Sequence, residues 1–148
     1  KKYDKLQVQQ FEIYKQALPY YEKAYGLNPK SINIVQTLMG FYENLDMPAK
    51  LNDIKADEGF SIIFKHSTRC SISMMAKKRV DMDLSDLPST VKPYFLDLIA
   101  HREISNQIAE LFQVHHESPQ LLLIKNGECI LDQSHSDISI EEFLELIV

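Results

Sequence analysis

Two cysteines, Cys70 and Cys129, are too few in a 148-residue chain to form a disulfide scaffold, and their separation has no metal-ligand spacing. A Cys-x-x-Cys dithiol motif is excluded, because Ser73 stands where the second cysteine belongs. His115 and His116 are adjacent, yet no cysteine or paired carboxylate sits at a helical offset from them, so no metal site is expected. No apolar run approaches the length needed to span a bilayer, and no signal-peptide pattern opens the chain, so no membrane partner is expected. Lys1 rather than methionine begins it, and a start further upstream is expected. Cysteine scarcity points to a reducing compartment, and a cytoplasmic location is expected.

Positive charge is also scarce where a nucleic-acid surface would need it. Residues 58–148 carry eight Lys or Arg against fourteen acidic residues, whereas residues 1–57 carry eight Lys against seven, for a net charge of −5. No nucleic-acid partner is expected from that balance. The composition itself, 45% hydrophobic and 25% charged, is that of a folded globular chain of one or two small domains.

The chain has two grammars. Residues 3–57 read as helices. Phe11, Tyr14, Leu18, Tyr21 and Tyr25 recur in steps of three and four, which aligns one apolar stripe. Pro19 should kink or break that helix, and Gly26 and Pro29 supply its stop. Ser31 can cap a second helix bearing Ile34, Val35, Leu38, Met39 and Tyr42; a third starts near Pro48 and carries Leu51 and Ile54. From Phe60 onward strands and helices alternate. Strands are expected at Ile62–Lys65, Lys92–Leu98, Gln120–Lys125 and Glu128–Leu131, the last two joined by the hairpin signal Asn126-Gly127. Helices are expected at Ser71–Arg79, Arg102–Phe112 and Ser139–Val148. The expected domains are therefore 1–57, all α, and 58–148, α/β.

Cys70 falls between the first strand and the helix that follows. A thiol at a helix start meets the positive end of the backbone dipole and unpaired N–H donors, and both favour thiolate. Arg69 adds a cation, and Ser73 is placed to hydrogen-bond the sulfur from the next turn. The plainer readings are a buried small hydrophobe for Cys70, a solvated loop cation for Arg69 and a capping serine for Ser73. His66 and His135 are candidates to meet near the site, or else ordinary polar residues. Cys129, alternating with Glu128 and Ile130 in the hairpin strand, reads as core filler.

Ala17-Leu18-Pro19-Tyr20-Tyr21-Glu22-Lys23-Ala24-Tyr25-Gly26-Leu27-Asn28-Pro29 resembles the second helix and closing turn of a tetratricopeptide repeat, although the Trp-Leu-Gly pattern of the first repeat helix is missing. One repeat rarely stands alone, so these helices should dock on the second half or on another copy, or be a fragment. The order βαβαββα from Phe60 is that of the thioredoxin fold, and Pro119, just before an apolar strand, matches its cis-proline. More narrowly, Phe64-Lys65-His66-Ser67, Cys70-Ser71-Ile72-Ser73, Tyr94-Phe95-Leu96-Asp97, Ser118-Pro119-Gln120 and Ser134-His135-Ser136-Asp137 resemble the monothiol bacilliredoxin family, a bacterial-type lineage. The chain departs from the common Thr-Cys-Pro-Ile-Ser by Arg69 and Ser71, and lacks the usual strand and helix ahead of Phe60.

The resemblance implies a thiol-disulfide oxidoreductase that removes a small thiol, bacillithiol or a similar one, from S-thiolated client proteins. It implies Cys70, Ser73 and Arg69 as catalytic residues, Thr68, Ser118 and Pro119 as substrate contacts, and no bound cofactor beyond the thiol co-substrate. The helical segment would select a protein or peptide partner or hold a second copy. The competing reading is a non-catalytic adaptor whose thioredoxin fold is only a platform. A third is oxidation sensing at Cys70.

Overall fold

The computed structural model describes residues 2–28, 31, 34, 37 and 47–147, with residues 2–8, 10, 11 and 47–50 described by backbone alone. A four-stranded mixed sheet organises the chain. Strand β1 (Phe60–His66) runs parallel to β2 (Lys92–Asp97), a pairing that needs a crossover, and helix α3 (Ser71–Asp83) supplies it. Strand β3 (Gln120–Lys125) lies antiparallel to β1 on its other side. Strand β4 (Glu128–Ser134) returns along β3 after the turn at Asn126 and Gly127, whose φ values of 51° and 72° suit a two-residue hairpin.

The central strands are covered on both faces, which is why their sequences are apolar almost without a break: Ile62, Ile63, Phe64 and Leu121 to Ile124 are all buried. Side chains alternate across the sheet. His66 meets Ser73 of α3 on one face, whereas Lys65 reaches His116 and, beside it, Ser105 of α4 (Arg102–Leu111) on the other. Helix α5 (Ile140–Leu146) starts at Ser139, whose hydroxyl accepts the Glu141 N–H at 3.2 Å. This helix contacts α3, and it buries Ile140 and Phe143.

The N-terminal helices dock on this sheet. Helix α1 (Lys2–Leu27) and helix α2 (Met47–Ala56) place Leu18, Tyr25, Leu51 and Ile54 in one buried cluster with the strands. Tyr25 donates its hydroxyl to the Val91 carbonyl at 3.1 Å. Lys55 Nζ donates to the Gly127 carbonyl at 2.7 Å, so α2 grips the hairpin turn. Asp57 accepts the Gly59 N–H at 2.9 Å and pairs with Lys92, which holds its carboxyl below the usual carboxylate range. Packing thus continues across residues 57 and 58.

Of the two outcomes expected at Pro19, a kink or a break, the break does not occur. One helix of 26 residues runs through it. Leu18 beside it and Tyr25 beyond it are buried in the same core, and that packing offsets the roughly 3 kcal/mol an interior proline costs. Tyr14 and Tyr21 of the expected stripe pack against the core, whereas the side chain of Phe11 and most of the expected second helix lie outside the described residues. An N-terminal helix is present; a repeat pair is not seen among the described residues. None of the helices described is long and apolar enough to cross a membrane.

Candidate active site

One end of the sheet gathers the residues singled out by sequence. Strand β1 ends at His66, the turn Ser67-Thr68-Arg69 follows, and Cys70 is the N-cap of α3 in an extended conformation, φ −111° and ψ 121°. Its carbonyl already accepts the Met74 N–H at 2.9 Å, and its own N–H bonds the Ser67 carbonyl at 3.2 Å. The thiol is free and the residue half-buried. Its sulfur makes no hydrogen bond to the described residues. Thr68 and Arg69 are exposed beside it, and the Arg69 guanidinium forms no ion pair among the described residues.

Register brings Pro119 to the same place. Gln120 of β3 pairs with Lys65 of β1, so Pro119 falls level with His66, four residues before Cys70. The Ser118-Pro119 bond is cis and Pro119 is buried. Its carbonyl accepts the His135 N–H at 3.1 Å, and the His135 carbonyl in turn accepts from Arg79 Nη2 of α3 at 3.1 Å. The Ser118 hydroxyl is shielded from solvent without a hydrogen-bond partner among the described residues.

Ser73 is fully buried, and its hydroxyl is used elsewhere than on the sulfur: it accepts the Ser67 N–H at 2.9 Å and lies 2.8 Å from His66 Nδ1. His66 stacks on Phe64 and tilts against Phe95. Burial first, then the Lys77 cation, keeps its pKa below the ordinary histidine value, so the ring is neutral near pH 7. His66 and His135 are not partners; His135 Nε2 pairs with Glu117 at 3.0 Å.

Cys129 sits apart, paired with Ile124 in the hairpin and packed against the core. Burial, with Asp132 nearby, pushes its pKa up to about 11. Among the described residues no group of three or more His, Cys, Asp or Glu side chains could hold a metal ion. What sequence reasoning missed is Lys65, fully buried behind β1 with its amine 3.3 Å from His116 Nδ1. The buried strand position was readable from the apolar neighbours, but its partner lies 51 residues away.

Comparison with known proteins places these features. The family described as "Monothiol bacilliredoxin BrxC" matches residues 43–143. Among solved structures, a protein of thioredoxin fold whose oxidoreductase role is itself inferred is similar over 68% of this chain and 87% of its own, with 27% identity and a TM-score of 0.58. The thioredoxin NaTrxh of Nicotiana alata is similar at 17% identity and TM-score 0.51, over 68% of this chain and 81% of that one. Thioredoxin Mala s 13 of Malassezia sympodialis is similar at 19% and 0.50, over 67% and 81%. The last two show the fold alone. With β2-β1-β3-β4 and its helices, the fold is thioredoxin-like, and the family match with the oxidoreductase-like neighbour supports a redox thiol oxidoreductase-like function.

Proposed function

Because the chain belongs to the monothiol bacilliredoxin family, we propose that it removes a low-molecular-weight thiol from protein mixed disulfides, with Cys70 as sole nucleophile. One observation carries this reading: a free thiol on a half-buried residue opens α3 at the sheet end that also bears Pro119, while Ser73 replaces a resolving cysteine. Thiolate at Cys70 attacks the small-thiol sulfur of the mixed disulfide. The client S–S bond breaks, a disulfide between Cys70 and the small thiol forms, and the client sulfur leaves as thiolate and takes a proton from water. A second small-thiol thiolate then attacks that disulfide, leaves as the symmetric small-thiol disulfide, and returns Cys70 as thiolate.

In this reading Arg69, beside the nucleophile in sequence, joins Thr68, Ser118 and Pro119 in bordering the incoming disulfide. Ser73 acts through the turn it fastens rather than on the sulfur. The small thiol is bacillithiol or a similar co-substrate. The test is intact mass after incubation with the disulfides of bacillithiol and glutathione. One adduct on Cys70, lost in Cys70→Ser, is expected, and the size of the response ranks the thiols. No adduct, or one on Cys129, overturns the reading.

A second reading, a non-catalytic adaptor with a tetratricopeptide-like segment as its docking surface, draws on α1, where Ile13, Tyr20 and Leu27 are exposed. Slow mixed-disulfide exchange together with an ordinary Cys70 titration in pH-dependent alkylation would favour it.

A further inference from the structure

Lys65 is fully buried at the end of β1, five residues before the nucleophile, and the exchange chemistry above gives it no task. An amine is rarely taken out of water without partners. Its partner is His116 Nδ1 at 3.3 Å, three residues before Pro119. Ser105 Oγ of α4 lies 3.2 Å from the same nitrogen. Arg102 Nη1 stands 3.3 Å from His116 Nε2, but a neutral ring has one acceptor nitrogen, so with Nδ1 accepting from the Lys65 ammonium the guanidinium is a neighbour of Nε2 rather than its donor. Gln120, level with Lys65 on β3, completes the fastening: its amide donates to the His115 carbonyl at 2.8 Å and its oxygen accepts the Glu117 N–H at 3.3 Å.

We propose that Lys65 is a positioning residue for disulfide exchange: its buried amine fixes His116, and thereby the 115–119 segment that sets Pro119 level with the Cys70 end of β1. The inference rests on the function proposed above. Burial pushes the Lys65 pKa down to about 8, against the attraction of Glu117 and then Asp132. The charged or titratable groups around it are His116, Glu117 and His115 from the segment, Asp132 from β4 and, across His116, Arg102 from α4. Its β2 neighbour, Leu96, is apolar. Below about pH 8 the cation is attracted to both carboxylates and the segment is held firmly; above it that attraction goes.

Two rates separate positioning from simple stability. Alkylation of Cys70 by iodoacetamide needs only the thiolate, whereas exchange with a client carrying bacillithiol or glutathione in mixed disulfide needs the thiolate and the Pro119 segment. Lys65→Met, which keeps the buried stem, is expected to lower kcat/KM for exchange about tenfold, chiefly through KM, with alkylation unchanged within about twofold. The exchange-to-alkylation ratio of the wild type should fall as pH rises through about 8, and that of Lys65→Met should be low and flat. If Lys65→Met does not fold, His116→Leu should reproduce the loss and His116→Asn, which keeps an acceptor, should restore most of it. Equal ratios in wild type and variants overturn the inference. A wild type inactive toward both the glutathionylated and the bacillithiol-carrying client overturns the proposed function instead, so the two failures are distinguishable.

Discussion

Ser73 Oγ lies 2.8 Å from His66 Nδ1 and accepts the Ser67 N–H at 2.9 Å, so the first turn of α3 is tied to both the end of β1 and the turn before the nucleophile. The hydroxyl accepts from Ser67 and shares a second hydrogen bond with Nδ1, whose direction follows the tautomer of the ring. Ser73→Ala leaves a buried imidazole nitrogen and a backbone N–H without that oxygen. The expected cost is about 1–3 kcal/mol of stability, read as a lower urea midpoint. Exchange should slow severalfold as the turn loosens, while Cys70 remains alkylatable. An unchanged midpoint would show that water replaces the hydroxyl without penalty.

Acid should destabilise the fold in a window set by two histidines. Burial, with Lys77, holds His66 below its ordinary value; burial, with Lys65 and then Arg102, does the same for His116. Unfolded, both titrate near about 6.5. As pH falls, the unfolded chain takes up these protons first, so their contribution is complete above about 6.5 and is lost as pH falls through that value toward the folded ones. The urea midpoint should drop between about pH 7.5 and 5.5. His66→Gln, which keeps a partner for Ser73, should flatten the drop, and a wild-type midpoint constant over that range would count against neutral burial.

Gly127 tests the docking of α2 on the hairpin. Its φ is +72°, and a Cβ there would lie 2.1 Å from the Lys55 carbonyl oxygen, a backbone atom that cannot swing aside. Gly127→Ala therefore combines left-handed strain of roughly 1–2 kcal/mol with a steric conflict. The thermal midpoint should fall by more than Asn126→Ala lowers it, since Asn126 shares the positive φ but is exposed. Equal effects would mean that the turn, rather than the helix contact, sets the requirement.

Much of this was legible where local chemistry decides structure. Asn126-Gly127 fixed the hairpin, the apolar run Leu121 to Ile124 marked a central strand, and the break from Phe64-Lys65-His66 into Ser71 placed Cys70 at a helix start. Pro119 was identifiable from its position before β3. What was not legible depends on partners distant in sequence. A lysine reads as a solvated cation, and nothing near Lys65 announces His116 or Ser105. Ser73 reads equally as a group aimed at sulfur and as a capping serine, because Cys70 and a helix start are both near in sequence, but the pleat turns the His66 ring toward its hydroxyl. Pro19 read as an interruption because local propensity has no term for the burial of Leu18 and Tyr25.

The two thiols should separate cleanly in labelling. Cys129 is packed against the core, and its carbonyl neighbour Leu131 holds the thiol at 3.4 Å, while burial keeps its pKa near 11. At pH 8 Cys129, at about 11, is almost entirely protonated, and the thiolate is the form that iodoacetamide alkylates. Native protein treated with iodoacetamide at that pH should gain one label, on Cys70; in urea it should gain two. The same shift has a stability consequence. A thiol whose folded value exceeds the unfolded one stabilises the fold below about pH 8.5 and loses that contribution as pH rises toward about 11. Cys129→Ala should therefore be less stable than wild type at pH 7 because of the lost packing, with the difference narrowing by pH 10. Rapid native labelling of Cys129 would instead mean that the hairpin opens far more readily than its packing implies.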